Sequence, residues 1–355
     1  MMRDEFEQLE EALMASVGGL DVHRRQITFD VLDTESGQVR RGQVRPACRA
    51  TLRQFLGRVA GQGEVSFAVE GCTGWRFIIE ELQRAGFQAH LADPAAAADA
   101  RGSKRRAKTD RIDSRQLRQQ LVEGRLPESW IPPEHVQEVR AKLECYHDLR
   151  EEHTAWVQRV HATLFHHGVP VIEGALFTMA GRARLEAGEG LSPAARQVVG
   201  VALRVLDALQ VELDELGREL GRHARRQPGC RALAAQYGVG PITAVAIWAF
   251  MGDTRRFSSS AQAVRHTGLD VTVYSSDGRR APGHLSRQGP PVLRWALYEA
   301  ACSAARSTSP DLDYYHDTKE RIDHKRAAIS VARKIARRSH HILRDLGDTA
   351  WQDAA

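Results

Sequence analysis

The first hundred residues alternate between stretches with the two-residue period of β-strands and stretches with the period of amphipathic helices. Strand-like runs at residues 17–22, 26–33 and 39–44 precede a helix candidate at 47–59. The strand EVSFAVEG, a helix over 75–85 and the strand FQAHLADP follow. Strands that alternate with helices in this way form a sheet covered by helices, not an all-helical or all-β fold. The pattern predicts an α/β domain of about 120 residues.

Beyond Pro132 and Pro133 the sequence favours two long helices, over residues 134–167 and 193–226. Ser192 and Pro193 predict the start of the second helix, because a serine hydroxyl caps the first turn and proline suits its first position. Apolar residues of this helix recur at spacings of three and four, as in a coiled-coil seam. They are Val199, Ala202, Leu206, Leu209, Leu213, Leu216 and Leu220. The seam fits either a hairpin within one chain or a coiled coil that holds an oligomer together.

From residue 227 onward a Gly-Val-Gly-Pro turn separates two helical stretches. The turn is similar to the helix-hairpin-helix motif, whose glycines let backbone N–H groups approach a phosphate. Gly238 and Gly240 are therefore candidate nucleic-acid-binding residues, although a glycine-rich junction between helices more often reflects ordinary turn chemistry. The tail over residues 319–345 predicts a basic helix. We expect three domains: α/β at 1–131, a helical coiled-coil region at 132–226, and a mainly helical domain at 227–355.

The charge balance and the cysteines narrow the class of protein. Lys and Arg exceed Asp and Glu by 50 to 45, a net charge of +5 that suits a polyanionic partner. The five cysteines are scattered, so neither a disulfide framework nor a zinc site is indicated. The acidic N-terminal sequence is unlike a signal peptide, and the longest apolar run is too short to cross a bilayer. We expect a cytoplasmic protein with no membrane partner.

Four carboxylates occupy related places in the α/β pattern. Asp21 lies in the first strand, Glu70 ends the fourth, and Asp110 and Asp113 share one face of the helix after the last strand. The element order resembles a RuvC/ribonuclease H-like domain, in which the first and fourth strands are neighbours and that helix crosses them. The four side chains are then expected to converge. Two carboxylates about 4 Å apart repel by about 4 kcal/mol at an effective dielectric near 20, so the cluster predicts bound Mg²⁺ or Mn²⁺.

A basic run precedes the last two carboxylates. Its side chains Lys104, Arg105, Arg106 and Lys108 lie within RGSKRRAKTDRID. Because lysine and arginine bind phosphates without reading sequence, we expect these residues to contact a nucleic-acid backbone.

Five segments together resemble the IS110-type DEDD transposases, the recombinases of a class of bacterial insertion sequences related to the Piv-type invertases. They are GLDVHRRQITFDVLD, AVEGCTGWRFIIEELQRAGFQAHLADP, KTDRIDSRQL, YGVGPITAVAIWAFMGDTRRFSSSAQAVRHTGL and VYSSDGRRAPGHLSRQGPPVLRWALYEAA. The resemblance implies that Asp21, Glu70, Asp110 and Asp113 are the catalytic, metal-binding DEDD set. It also implies a serine nucleophile, which falls on Ser276 or, as the alternative, on Ser275.

The resemblance also implies a reaction and partners. The serine forms a covalent phosphoseryl-DNA intermediate, and Arg279, Arg280 and Arg287 are expected to contact phosphate. The partners implied are donor and target DNA, a noncoding guide (bridge) RNA, and further copies of the chain as a dimer or, in the synaptic complex, a tetramer. Such a protein acts at the bacterial nucleoid. Two alternatives stay open from the residues alone: a metal-dependent structure-specific nuclease of the junction-resolvase kind, and a non-catalytic nucleic-acid-binding scaffold.

Overall fold

The computed structural model describes residues 16–59, 63–99, 109–170, 178–272, 275–276, 279–280 and 283–353. The side chains of the short strands at 275–276 and 279–280 are outside that description. The chain divides into two compact units, with the boundary between Ile131 and Pro132. No helix in the described ranges has the length and apolar character that a membrane crossing requires.

The first unit is a six-stranded sheet with helices on both faces. Its strands are β1 (Ser16–Val22), β2 (Ile27–Asp33), β3 (Val39–Val44), β4 (Val65–Glu70), β5 (Gln88–Ala92) and β6 (Glu128–Ser129), in the spatial order β3-β2-β1-β4-β5-β6. Its helices are α1 (Arg49–Val59), α2 (Trp75–Arg84), α3 (Pro94–Asp99) and α4 (Asp110–Val122). The first three strands form an antiparallel meander, and β4 pairs parallel to both β1 and β5. The predicted α/β domain is confirmed, whereas the short α3 and β6 are additions that the sequence did not indicate.

The two faces of the sheet carry different halves of the core, because alternate residues of a strand point to opposite faces. Leu20 and Phe67 pack with apolar residues of α1 and α2. Val17 and Ala68 pack with Leu117 of α4 on the other face. Asp21 and Glu70 follow the parity of Val17 and Ala68, so the strand period assigns them to the face that α4 covers.

Close packing and an ion pair hold α4 against the sheet. A Cβ added to Gly19 would lie 2.0 Å from the carbonyl oxygen of Ser114, so only glycine lets the helix approach β1 this closely. Arg118 of α4 donates from Nε to Oδ1 of the buried Asp30 at 2.5 Å, and Arg41 donates to the other oxygen of the same carboxylate. The N-terminus of α4 is thereby fixed beside the ends of β1 and β4.

The second unit is mainly helical. Its helices are α5 (Glu134–His166), α6 (Met179–Ala187), α7 (Pro193–Arg226), α8 (Pro228–Ala234), α9 (Pro241–Met251), α10 (Ser260–His266), α11 (Pro291–Cys302), α12 (Leu312–Arg321) and α13 (His324–Leu346). Short 3₁₀ turns lie at Thr254–Arg256, Ser303–Ala305 and Gly347–Trp351. Two-residue strands β7 (Val271–Thr272), β8 (Ser275–Ser276), β9 (Arg279–Arg280) and β10 (His284–Leu285) form the pairs β7–β10 and β8–β9.

The long helices α5 and α7 pack against each other within the chain. As predicted, Ser192 caps α7: its hydroxyl accepts a hydrogen bond from the Ala195 N–H at 3.2 Å. The ends of the heptad seam are buried, as at Val199 and Leu220, while its middle around Leu213 is half-buried. Packing of α7 within the chain therefore explains why apolar residues lie at the two ends of the seam, but explains the apolar residues in its middle less well.

The C-terminal tail differs from the expected single basic helix. The chain breaks at Ile322, and α13 starts only after Asp323, whose side chain accepts a hydrogen bond from the Arg326 N–H at 2.8 Å. An aspartate that caps a new helix competes with continuation of the old one. The prediction of one continuous helix was wrong for this reason.

Candidate metal centre

One cavity of about 410 Å³ in the first unit contains all four predicted carboxylates. Its lining consists of Asp21, Val22, His23, Glu70, Gly71, Cys72, Asp110 and Asp113. The convergence expected from the sequence is what the structure shows: β1, β4 and α4, which are distant along the chain, bring the four acids to one place.

The local structure explains each position. Asp21 and Glu70 lie near the carboxyl ends of two adjacent parallel strands, and such ends meet at one edge of a sheet. Asp110 is the first residue of α4, and Asp113 lies one turn further on. The first turn of a helix favours negative charge, which partly offsets the cost of grouping these acids. Asp21 and Asp113 are each 6% exposed, so the cavity floor is acidic and poorly hydrated.

A histidine bridges two of the acids. His23 Nε2 lies 3.1 Å from Oδ2 of Asp21 and 3.3 Å from Oδ1 of Asp110. Gln26 donates from Nε2 to the other oxygen of Asp110 at 2.9 Å, and Arg45 hydrogen-bonds the amide oxygen of Gln26. Asp110 is thus oriented from one side by Gln26 and presents its second oxygen to the imidazole.

Burial raises the pKa of the Asp21 carboxyl, and the neighbouring charges of Asp110 and Asp113 raise it further, while His23 opposes the shift. Ionisation of Asp21 therefore costs more free energy here than ionisation of a solvent-exposed aspartate. A cation between these groups would reverse the effect, since it would compensate both the burial and the mutual repulsion.

The donor set fits a divalent metal ion. Ligand atoms of Asp21, His23 and Asp110 all lie within 4.8 Å of one another. Carboxylate oxygens are the ligands that Mg²⁺ and Mn²⁺ prefer. The chemistry of the cavity is therefore that of a metal centre rather than that of a pocket for an apolar ligand.

Family models match both units of the chain. A model of the IS110-type DEDD transposases, described as "Transposase", matches residues 18–167. A second, described as "Transposase IS116/IS110/IS902 family", matches residues 230–317. The chain belongs to the IS110 family of transposases.

Curated relatives agree with this assignment. A "Probable family 20 transposase" of Pseudomonas aeruginosa is 29% identical over 138 residues, which are 39% of this chain and 41% of that protein. The "Transposase for insertion sequence element IS1111A" of Coxiella burnetii is 23% identical over 83% of this chain and 82% of its own length. The "Transposase for insertion sequence element IS1328" of Yersinia enterocolitica is 25% identical over 71% and 74%. The chain thus spans less than half of the Pseudomonas relative and most of the other two.

The candidate catalytic residues fall into the two different regions that the family models match. The four carboxylates fall within residues 18–167, and Ser275 and Ser276 fall within residues 230–317. The two serines form β8, in which Ser275 pairs with Arg280 and Ser276 with Arg279 in antiparallel register. This pairing fixes which backbone positions of the hairpin lie opposite one another. The side chains of both serines and both arginines lie outside the part of the chain that the structure describes.

The predicted phosphate contacts have different surroundings. Lys104, Arg105, Arg106 and Lys108 lie outside the described residues. Gly238 has φ +83°, and an added Cβ there would lie 2.0 Å from Oγ of Ser303. Packing therefore explains this glycine without a phosphate. Gly240 precedes α9, and a Cβ there would meet nothing nearer than 3.8 Å.

Arg287, the remaining predicted contact, is exposed and follows β10. It is a non-glycine residue with positive φ, at 54°, and its N–H donates to the carbonyl oxygen of Gly268 at 3.1 Å. This hydrogen bond holds Arg287 in the left-handed backbone conformation, which residues other than glycine seldom adopt.

Sequence reasoning overlooked His23 and Cys72, which line the cavity, and Gln26, which hydrogen-bonds Asp110. One signal was available, since His23 follows Asp21 by two residues at the end of β1, and the two-residue period of extended backbone directs both side chains to the same side. Gln26 offered no such signal, because its role depends on the β1–β2 turn, in which His23 and Gln26 exchange backbone hydrogen bonds of 2.9 and 3.3 Å.

Proposed function

We propose that this chain is a transposase that cleaves and rejoins DNA strands at a divalent-metal centre held by Asp21, Glu70, Asp110 and Asp113. The observation that carries the proposal is the single cavity that these four carboxylates line. Three separate elements supply them, and a protein without metal would gain nothing from the repulsion among acids grouped in this way. Membership of the IS110 family supports DNA as the substrate.

The sheet supports a RuvC/ribonuclease H-like interpretation of the first unit. An antiparallel meander of β1 to β3 continues into the parallel strands β4 and β5, and α4 crosses β1, β2 and β4. This order matches the one expected from the sequence. In that fold the acidic edge of the sheet is where phosphodiester bonds are cut.

In the proposed reaction Ser276, or Ser275 in its place, is the nucleophile. Its Oγ forms a bond to phosphorus while the bond from phosphorus to one deoxyribose oxygen breaks. The serine proton passes to solvent, and the departing oxygen takes up a proton. The resulting phosphoseryl ester keeps the energy of the broken bond, so attack by another strand's hydroxyl rejoins DNA without ATP. Divalent cations, when bound, stabilise charge on the phosphoryl oxygens.

The other proposed partners follow from the family and from charge. Arg279, Arg280 and Arg287, with the basic run at 104–108, contact phosphates of the nucleic acid. A noncoding guide RNA directs the choice of donor and target DNA. The chain works as a dimer or tetramer, because strand exchange needs at least two active centres.

Single substitutions test the proposal. In a cellular assay of element excision and insertion, Asp21→Ala is expected to abolish both events. One of Ser276→Ala and Ser275→Ala should do the same, while the other leaves activity measurable. Normal recombination in both serine variants would exclude a serine nucleophile.

Trapping distinguishes a transposase from a metal-dependent nuclease. The wild-type protein is incubated with labelled DNA and Mg²⁺, denatured, and separated by electrophoresis. Label that migrates with the polypeptide, and disappears in the inactive serine variant, is the expected result. Cleaved DNA without attached protein would instead indicate hydrolysis by water, as in a junction resolvase.

Mixing two inactive variants tests whether centres are shared between copies. We expect Asp21→Ala and Ser276→Ala proteins together to regain part of the recombination that each lacks. No recovery at any mixing ratio would mean that each copy supplies its own carboxylates and serine.

A further inference from the structure

We propose that His23 is a nitrogen ligand of the metal centre and that it makes the centre prefer a transition-metal ion such as Mn²⁺ over Mg²⁺. The inference rests on the metal centre of the proposed function and goes beyond it. The four family carboxylates would alone form an all-oxygen site, which discriminates little between these two ions.

The separations around His23 suit coordination. Two ligand atoms on adjacent corners of an octahedron, each about 2.1 Å from the ion, lie about 3 Å apart. The imidazole Nε2 lies 3.1 Å from an oxygen of Asp21 and 3.3 Å from an oxygen of Asp110. One ion can therefore meet all three atoms without a large movement of any side chain.

The surroundings hold this arrangement in place. His23 sits in the tight turn between β1 and β2, where its backbone N–H donates to Gln26 O at 2.9 Å and its carbonyl accepts from Gln26 N. The Gln26 side chain in turn fixes Asp110 by donating to Oδ2 at 2.9 Å. A second residue that orients a ligand carboxylate is typical of built metal sites, since it sets which oxygen points at the ion.

The chemistry of the donor explains the preference. Imidazole is a common ligand of transition metals, whereas Mg²⁺ is bound through oxygen and retains much of its water. Cys72 lines the same cavity, but its Sγ is not in the described group of ligand atoms that lie within 4.8 Å of one another. The imidazole of His23 is the non-oxygen donor in that group.

Electron spin-echo spectroscopy of Mn²⁺ bound to the full-length protein tests the inference directly, because a coordinated ¹⁴N modulates the echo. We expect ¹⁴N modulation in the wild type and in His90→Gln, whose parent histidine instead contacts Glu128 in the same unit. His23→Gln, which offers an oxygen of similar reach, and His23→Ala should lose the modulation. Calorimetric titration should show Mn²⁺ binding weakened about tenfold in His23→Ala, with Mg²⁺ binding changed less than twofold.

The outcomes separate this inference from the proposed function. Mn²⁺ that binds the wild type and is lost in Asp21→Asn, but shows no ¹⁴N modulation, would overturn the role of His23 and leave the carboxylate centre intact. Modulation that persists in His23→Ala, or equal loss of Mn²⁺ and Mg²⁺ affinity, would overturn it as well. A wild type that binds neither ion would overturn both the inference and the metal centre.

Discussion

At the scale of single residues, the protein places charge where it costs stability. Asp21 is almost fully buried, and its carboxyl pKa is raised by burial and by the charges of Asp110 and Asp113. Asp30, one strand away and also buried, accepts hydrogen bonds from Arg118 and Arg41. These two buried aspartates of one sheet thus differ in their partners: Asp30 is paired with two arginines, whereas Asp21 is paired with His23 and lies beside two further carboxylates.

We therefore expect Asp21→Asn to stabilise the metal-free protein by about 1 kcal/mol, because it removes a buried charge that repels its neighbours. Thermal unfolding in EDTA measures the effect. With saturating Mn²⁺ the order should reverse, since the metal stabilises only the protein that binds it. Asp30→Asn is the matched control: it should destabilise the protein by roughly 3 kcal/mol in both conditions, because it breaks a buried ion pair. A destabilising Asp21→Asn in EDTA would contradict the account.

The sequence predicted these residues to different extents for a physical reason. Asp21 and Glu70 were predictable because strand period and parallel pairing together fix the edge and the face of a sheet. Asp110 was predictable because it lies on the helix that follows β5, the last strand recognised in the sequence. Gln26 was not predictable, since it touches Asp110 across 84 positions of the chain and only the geometry of a turn brings it there.

At the scale of elements, periodicity predicted whatever was long enough to show a period. The strands β1 to β5 and the helix α7 lie where the pattern indicated them. The six-residue α3 and the two-residue β6 are too short for a period to be recognised, and β6 exists only because β5 offers it an edge. The break before α13 was missed because helix-favouring residues flank it on both sides, so that the cap at Asp323 decides.

The turn between α8 and α9 gives a prediction at this scale. Gly238→Ala should destabilise the second unit by about 2 kcal/mol, since φ is +83° and the new Cβ would overlap Ser303 Oγ and the Ala300 carbonyl. Gly240→Ala, two residues away, has φ −81° and open space, so its unfolding free energy should change by less than about 0.5 kcal/mol. Denaturant unfolding of both variants makes the comparison. Equal effects would mean that the turn has a different packing from the one described.

At the scale of the whole molecule, the net charge of +5 conceals how the cations are used. Many described arginines are neutralised by acids: Arg182 by Asp207, Arg255 by Asp253 and Arg326 by Asp323. Cations that already have a carboxylate partner release few counterions when a polyanion binds. The proposed nucleic-acid affinity should therefore depend on which basic residues are removed, and not only on how many.

The salt dependence of binding measures this difference. Log affinity falls as log salt concentration rises, and replacing Lys104, Arg105 and Arg106 together by Gln should make this negative slope shallower. The change should be about 0.9 for each lost phosphate contact with duplex DNA, and about 0.7 with a single strand. The control replaces the three paired arginines, Arg182, Arg255 and Arg326, by Gln, which changes the net charge equally and should leave the slope nearly unchanged. Fluorescence anisotropy with labelled DNA and labelled RNA, from low to physiological salt, gives both slopes. If the slope changes with only one of the two nucleic acids, that one is the nucleic acid that the basic run binds. Equal slope changes in the two triple variants would show that net charge alone governs binding.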